Sequence, residues 1–169
     1  MRVLILALLF SLSAGAALAA EPTAAEKAAM GGTLDTLHDA AAKADGPRYF
    51  ATYAPGAVFI GTDVTERWTL AEFRAFAEPY FSQGRGWTYQ PRQRWLTLTD
   101  DPCRCVAWFD EVLDSESYGT TRGVGVLVLA GGEWKVAQYA LSFPVPNDLA
   151  KGIVAEIKAY EAKATAAGQ

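Results

Sequence analysis

Beyond residue 86 the sequence breaks into four consecutive stretches of strand length, 87–99, 106–113, 119–129 and 134–143, and this succession limits the fold more than any other feature. The breaks are Asp100-Asp101-Pro102, Asp114-Ser115-Glu116-Ser117 and Ala130-Gly131-Gly132-Glu133, all turn-forming compositions. Consecutive strands with connections this short make an antiparallel meander. Helical signals lie upstream, apart from a last one after the strands. Helices first and strands last indicate an α+β domain, with helices covering one face of a curved sheet.

The upstream half carries two capping boxes. Thr23 can cap a helix to which Glu26 reaches back, and Thr69 with Glu72 repeats the pattern. In the first helix Gly31-Gly32 is a loosening point, and Leu34, Leu37, His38, Ala41 and Ala42 then form one apolar face. Asp45-Gly46-Pro47 reads as its end. Residues 47–53 fit one or two helical turns that place Tyr49, Phe50 and Tyr53 beneath a short strand at 57–60. Behind Thr69 the stripe Phe73, Phe76, Ala77, Tyr80 and Phe81 predicts a helix lying flat on the sheet, its aromatics core rather than a cofactor cage. Pro144 and Pro146 close the last strand. A final helix is expected from 148 to about 162, with Leu149, Ile153, Ile157 and Tyr160 on one side.

Residues 1–20 read as a signal peptide rather than as part of the domain. Met1-Arg2 is a basic start, residues 3–12 are apolar but for Ser11, and Ala17-Leu18-Ala19 fits a cleavage site after Ala19. The apolar run is shorter than the roughly 20 residues a membrane anchor needs. The expectation is a periplasmic or secreted protein with no membrane attachment after cleavage. One domain then spans 21–146, followed by a C-terminal helix and frayed tail at 147–169. Losing Arg2 makes the formal charge of −4 one unit more negative, which argues against nucleic acid and anionic membrane partners. Cys103 and Cys105 are the only cysteines. In an oxidising compartment they pair if geometry allows, but residues two apart in a strand point to opposite faces, so a bridge between them requires a turn. Two thiolates and one distant histidine make no metal site. No nucleophilic triad, phosphate-cradling loop or dinucleotide fingerprint is present, so no cofactor is expected.

The order helix, short helix, strand, helix and four long strands resembles the nuclear transport factor two-like superfamily, and within it the SnoaL-like group. The matching residues are Ala54-Pro55-Gly56-Ala57-Val58-Phe59, Gly61-Thr62-Asp63 with Glu66-Arg67-Trp68, and Gly132-Glu133-Trp134-Lys135-Val136-Ala137-Gln138-Tyr139. The family commonly has an acidic residue where this chain has Gly56. The resemblance covers 34–146 and implies a cone: a bent sheet wrapped around helices, with a pocket inside and a homodimer formed through the outer sheet face. It implies no single activity, because the same scaffold hosts isomerases, cyclases, dehydratases, epoxide hydrolases and non-enzymatic binding and assembly domains.

Catalytic members aim carboxylates, tyrosines or histidines into an apolar cavity. The candidates for proton handling here are His38, Asp63 and Asp110. Those for ligand binding are Tyr53, Phe59, Trp87, Trp108, Arg122 and Gln138. His38 is either a core histidine satisfied by a polar partner or a group pointing into a cavity. Alternation puts Val106, Trp108 and Asp110 on one face of a strand and Ala107, Phe109 and Glu111 on the other. It groups Gln138 with Trp134, Val136 and Ala140. The Trp108–Asp110 and Gln138 faces are expected to line the cone. Gly119, Gly123 and Gly125 mark either a sharp bend or room for a ligand beside Arg122. Gly61, Thr62, Glu66, Arg67 and Trp68 form a structural loop in which Asp63, Glu66 and Arg67 are expected to cluster as ion pairs. Three functions follow from this reading: a domain that binds a small, largely apolar molecule, a cofactor-independent acid–base enzyme, and a periplasmic interaction module.

Overall fold

The computed structural model describes residues 19–166. The signal-peptide reading falls almost wholly on residues 1–18 and the last of the tail on 167–169, and both lie outside the described residues. Helix α1 (Ala24–Ala42) begins where the capping box predicts. The Glu26 amide donates to Thr23 Oγ1 at 3.2 Å, and the Thr23 amide donates to the Glu26 carboxylate at 2.7 Å. The helix continues unbroken through Gly31-Gly32. Its stop differs from the expected one. Ala44 takes the left-handed conformation (φ 54), and Asp45 caps the next helix, α2 (Gly46–Ala51), with Pro47 in the first turn. Gly46-Pro47 therefore starts a helix instead of ending one.

The remaining elements are β1 (Tyr53–Ile60), β2 (Arg67–Thr69), α3 (Leu70–Phe81), β3 (Gln90–Leu98), β4 (Val106–Ser115), β5 (Gly119–Ala130), β6 (Glu133–Ser142) and α4 (Asn147–Ala166). They form a mixed α+β fold around one six-stranded sheet in the order β2-β1-β6-β5-β4-β3. The meander β3 to β6 is antiparallel throughout, and only β1 joins it in parallel, beside β6. Met30, Leu34 and Leu37 of α1, Tyr49 of α2 and Phe73 of α3 pack on the inner face against Ala107, Phe109 and Leu113 of β4, Leu127 of β5 and Val136 and Tyr139 of β6.

Strict alternation fails in β6. Leu127 pairs with Val136 but Val126 pairs with Gln138, so Ala137 is an extra residue, a bulge. Before it Trp134 and Val136 face inward. After it Tyr139 and Leu141 do, and Gln138 turns outward. One inserted residue reverses every later side chain.

Cys103 and Cys105 form a disulfide in the β3–β4 connection, in a turn that Arg104 enters with φ 46. The Asp101 carboxylate holds that turn by accepting from the Cys103 and Arg104 amides at 2.9 and 3.0 Å. Arg104 Nε and Nη2 donate to the two Glu26 oxygens at 2.8 and 2.7 Å, tying the turn to the cap of α1. That guanidinium, with the Thr23 amide next in weight, pulls the Glu26 carboxyl down to about 2.

Gly123 and Gly125 of β5 make space for the chain itself, whereas Gly119 faces open space and takes φ 70. A Cβ on Gly125 would lie 2.1 Å from the Gln138 carbonyl oxygen and 2.7 Å from the Phe109 ring, and one on Gly123 would lie 2.2 Å from the Tyr139 hydroxyl. The glycine at 125 thus lets the bulged strand and the Phe109 ring approach β5. Gly125→Ala is expected to cost at least about 2 kcal/mol through overpacking, read by urea denaturation. Gly152→Ala, in open space on α4, serves as the control and leaves stability unchanged or slightly raised. A Gly125→Ala protein as stable as wild type would contradict the close approach.

Candidate functional site

The β1–β2 hairpin positions the first half of the site. The Gly61 amide donates to the Glu66 carbonyl at 2.8 Å, and Asp63 Oδ1 accepts from the Thr65 amide and hydroxyl at 2.8 and 2.6 Å. Those Thr65 bonds hold the Asp63 carboxyl below its usual value. Glu66 Oε2 accepts from the Asp63 amide at 3.1 Å. The expected ion-pair cluster of Asp63, Glu66 and Arg67 does not form: the two carboxylates are engaged with backbone instead, and Arg67 points away, exposed.

Hairpin register then sets Phe59 opposite Trp68. Their rings continue into a parallel stack. Phe59 lies 3.8 Å from Phe73, Trp68 lies 5.9 Å from Phe73 and 4.7 Å from Phe76, and Tyr139 lies 5.9 Å from Phe59, with interplanar angles between 2° and 25°. Phe73 and Phe76 come from α3, whose capping box at Thr69 fixes where its stripe begins. Phe59, Trp68, Phe73 and Phe76 of this stack form one wall of a cleft of about 390 Å³. The opposite wall is the segment Gly86, Trp87, Thr88 and Tyr89 together with the β4–β5 turn, Ser115 to Tyr118. Trp87 is braced by Phe81 at 4.5 Å. Burial, with Tyr118 adding to it, pushes the Tyr89 hydroxyl up to about 12, so it remains a hydrogen-bond donor.

A second group of polar side chains lies elsewhere, between α1 and the inner face of β3 and β4. Glu111 is 0% exposed and His38 only 6%. His38 Nε2 is 2.8 Å from Glu111 Oε2, and Arg94 Nε donates to Glu111 Oε1 at 2.6 Å. Arg94 Nη1 reaches the Gly31 carbonyl at 3.2 Å and Asp35 at 2.9 Å. Burial alone would raise the Glu111 carboxyl, but the bonds and charges of His38 and Arg94 outweigh it and hold the group below its ordinary value. A charged Glu111 can only accept, so His38 Nε2 carries the proton between them.

Of the sequence candidates, only Phe59 and Trp87 line the cleft, joined by Gly61, Thr62, Glu66 and Trp68 of the loop. His38 is a core histidine with a carboxylate partner. Tyr53 is core too, its hydroxyl 2.9 Å from that of Tyr49. The expected inner face is corrected: Trp108 is 44% exposed, Asp110 and Arg122 face each other at 3.7 Å on the outer surface, and Gln138 joins them there because of the Ala137 bulge. Alternation left Glu111 on the rejected face of β4 and had no signal for Arg94. The apolar period of α3 does find Phe76, but Tyr89 and the Ser115–Tyr118 turn have no periodicity to betray them.

The SnoaL-like domain family model matches residues 32–146. No curated protein matches the chain. Among solved structures, a cystatin-like protein of unknown function from Nostoc punctiforme aligns with a TM-score of 0.61 and 15% identity, covering 74% of this chain and 96% of that one. An NTF2-like protein of unknown function from Pseudomonas putida aligns at 0.60 and 17%, covering 74% and 91%. A ketosteroid isomerase-like protein from Erwinia carotovora atroseptica aligns at 0.50 and 17%, covering 73% and 100%. At these identities the likeness is one of fold.

Removing one member of a buried charge pair leaves the other uncompensated, so Glu111→Gln should cost roughly 3–5 kcal/mol at pH 7, measured by urea unfolding. The Glu111 carboxyl lies lower folded than unfolded, so its contribution is complete above the unfolded value of about 4.3 and is lost as pH falls through the folded one. The wild-type and Glu111→Gln stabilities should therefore converge in acid. A cost that stays constant from pH 7 to pH 2 would contradict a charged Glu111.

Proposed function

The chain belongs to the SnoaL-like domain family, and on that premise we propose that it is a binding domain for a small, largely apolar molecule held in the aromatic cleft. One observation carries the reading. A concave site of about 390 Å³, within the range of small-molecule sites, is walled on one side by stacked aromatic rings from β1, β2 and α3, with polar side chains, among them Thr62, Glu66 and Glu116, on the rest of its lining. Acid–base catalysis has less support. The sole imidazole is bonded to Glu111 in the core, and Asp63 and Asp110 do not line the cleft. The neighbour from Erwinia is named for an isomerase likeness, but fold alone does not carry an activity. We also place the domain outside the cytoplasm, a reading supported by the leader-like residues 1–20 and by the Cys103–Cys105 disulfide.

A second reading concerns self-association. Trp95 and Trp108 are 48% and 44% exposed on the outer sheet face, beside Val124. Helix α4 has no buried residue and exposes Leu149, Val154, Ile157 and Tyr160. We propose that a second copy covers these surfaces, because a two-fold pair meets the same patches on both chains at once.

Titration with the neutral dye Nile red should give saturable fluorescence that Trp68→Ala weakens at least about tenfold, the loss expected for one aromatic wall of a small site. Equal binding by the two proteins would place the ligand elsewhere. Sedimentation of the wild type should give a dimer and of Trp108→Glu a monomer; a monomeric wild type would overturn the second reading.

A further inference from the structure

We propose that the ligand of this cleft is a cation, with an ammonium or quaternary ammonium head on an apolar body. The inference rests on the reading of the cleft as a ligand site and adds the chemical class of what fills it. Two carboxylates, Glu66 and Glu116, line the cleft, and no lysine, arginine or histidine does. Among the described residues neither carboxylate belongs to an ion pair. The cations of the neighbouring segments are turned elsewhere. Arg74 sits over the Phe50 ring at 4.4 Å, Arg85 over the Tyr80 ring at 5.1 Å, and Arg67 is exposed on the strand position next to inward Trp68.

The placement of Glu66 is built into the hairpin. Only its Oε2 is held, by the Asp63 amide, and Oε1 makes no hydrogen bond among the described residues. A Cβ on Gly61 would lie 2.1 Å from Oε2, so the glycine makes way for this carboxylate to cross the hairpin toward the cleft. The aromatic walls favour the same charge. A ring face is the negative end of its quadrupole, and a cation over tryptophan or tyrosine is attracted where a neutral group of the same shape is not. Trp68, Trp87, Tyr89 and Tyr118 supply such rings beside the two carboxylates. An anionic ligand would meet repulsion from both acids. A neutral apolar ligand would use the rings and leave the acids idle.

The test uses the mature chain and two probes of one shape, benzyltrimethylammonium and neopentylbenzene, in which carbon replaces the charged nitrogen. Each is titrated by tryptophan fluorescence and by displacement of Nile red. The cation should bind at least about tenfold more tightly than its neutral isostere, the scale of one or two desolvated cation–π contacts. The carboxylates add to that advantage, so it should fall by about threefold or more in Glu66→Gln/Glu116→Gln, leaving the part the ring faces supply, and by less in Glu116→Gln alone, a substitution on an exposed turn. Should the isostere bind as tightly as the cation while Nile red still binds, the charge assignment fails and the cleft reading stands. If neither probe nor Nile red binds, the cleft reading fails and the proposal with it.

Discussion

A carboxylate with no solvent exposure at all, Glu111, stays charged only if the chain brings partners to both its oxygens. That requirement organises the interior. His38 must come from α1 and Arg94 from β3, so the first helix is held against the inner face of the meander at a set depth and rotation. Arg94 extends the clamp to the Gly31 carbonyl and to Asp35, one turn away on the same helix. The hydrophobic contacts of Met30, Leu34 and Leu37 supply non-directional attraction. The charge cluster adds direction, since a rotated helix would strand a buried ion. With α1 fixed, the remaining inner surface is left to α2 and α3, and the aromatic cleft opens where α3 meets the hairpin and the β4–β5 turn.

Two parts of the interior thus take different roles. In the charged part both Glu111 oxygens are taken by His38 and Arg94, and the cluster serves the fold. The cleft part has a wall of nearly parallel aromatic rings, and its carboxylates keep free acceptor capacity. Because a fold does not fix an activity, the division matters more than the fold. It separates titratable groups that hold the structure from groups a ligand can meet.

The helical half and the meander are readable from the sequence because their physics is local. Capping boxes at Thr23 and Thr69 and the spacing of Phe73, Ala77 and Phe81 act within a few residues. Which face of the sheet turns inward is not local. Val106, Trp108 and Val112 compete with Ala107, Phe109 and Leu113 at equal apolar content, and only packing against α1 decides between them. Bulky Trp108 stays out while small Ala107 goes in, the reverse of what hydrophobicity by residue type suggests. The Ala137 bulge then breaks alternation in β6, and no composition marks it. Glu111 was hidden for the same reason: a lone acid in a strand reads as solvent-facing until its helix partner is known. Phe59, Trp87 and the Gly61–Trp68 loop could be found because aromatics and a turn coincide at a strand end.

The proposed ligand enters the cleft between the hairpin, α3 and the β4–β5 turn, and not a site on the outer sheet. Fluorine NMR of protein labelled with 5-fluorotryptophan tests it most directly, because the five tryptophans sample both surfaces and the core. On adding benzyltrimethylammonium, the resonances of Trp68 and Trp87 should shift together and saturate, while Trp95 and Trp108 stay in place. Shifts at Trp95 and Trp108 with Trp68 and Trp87 unmoved would contradict the account.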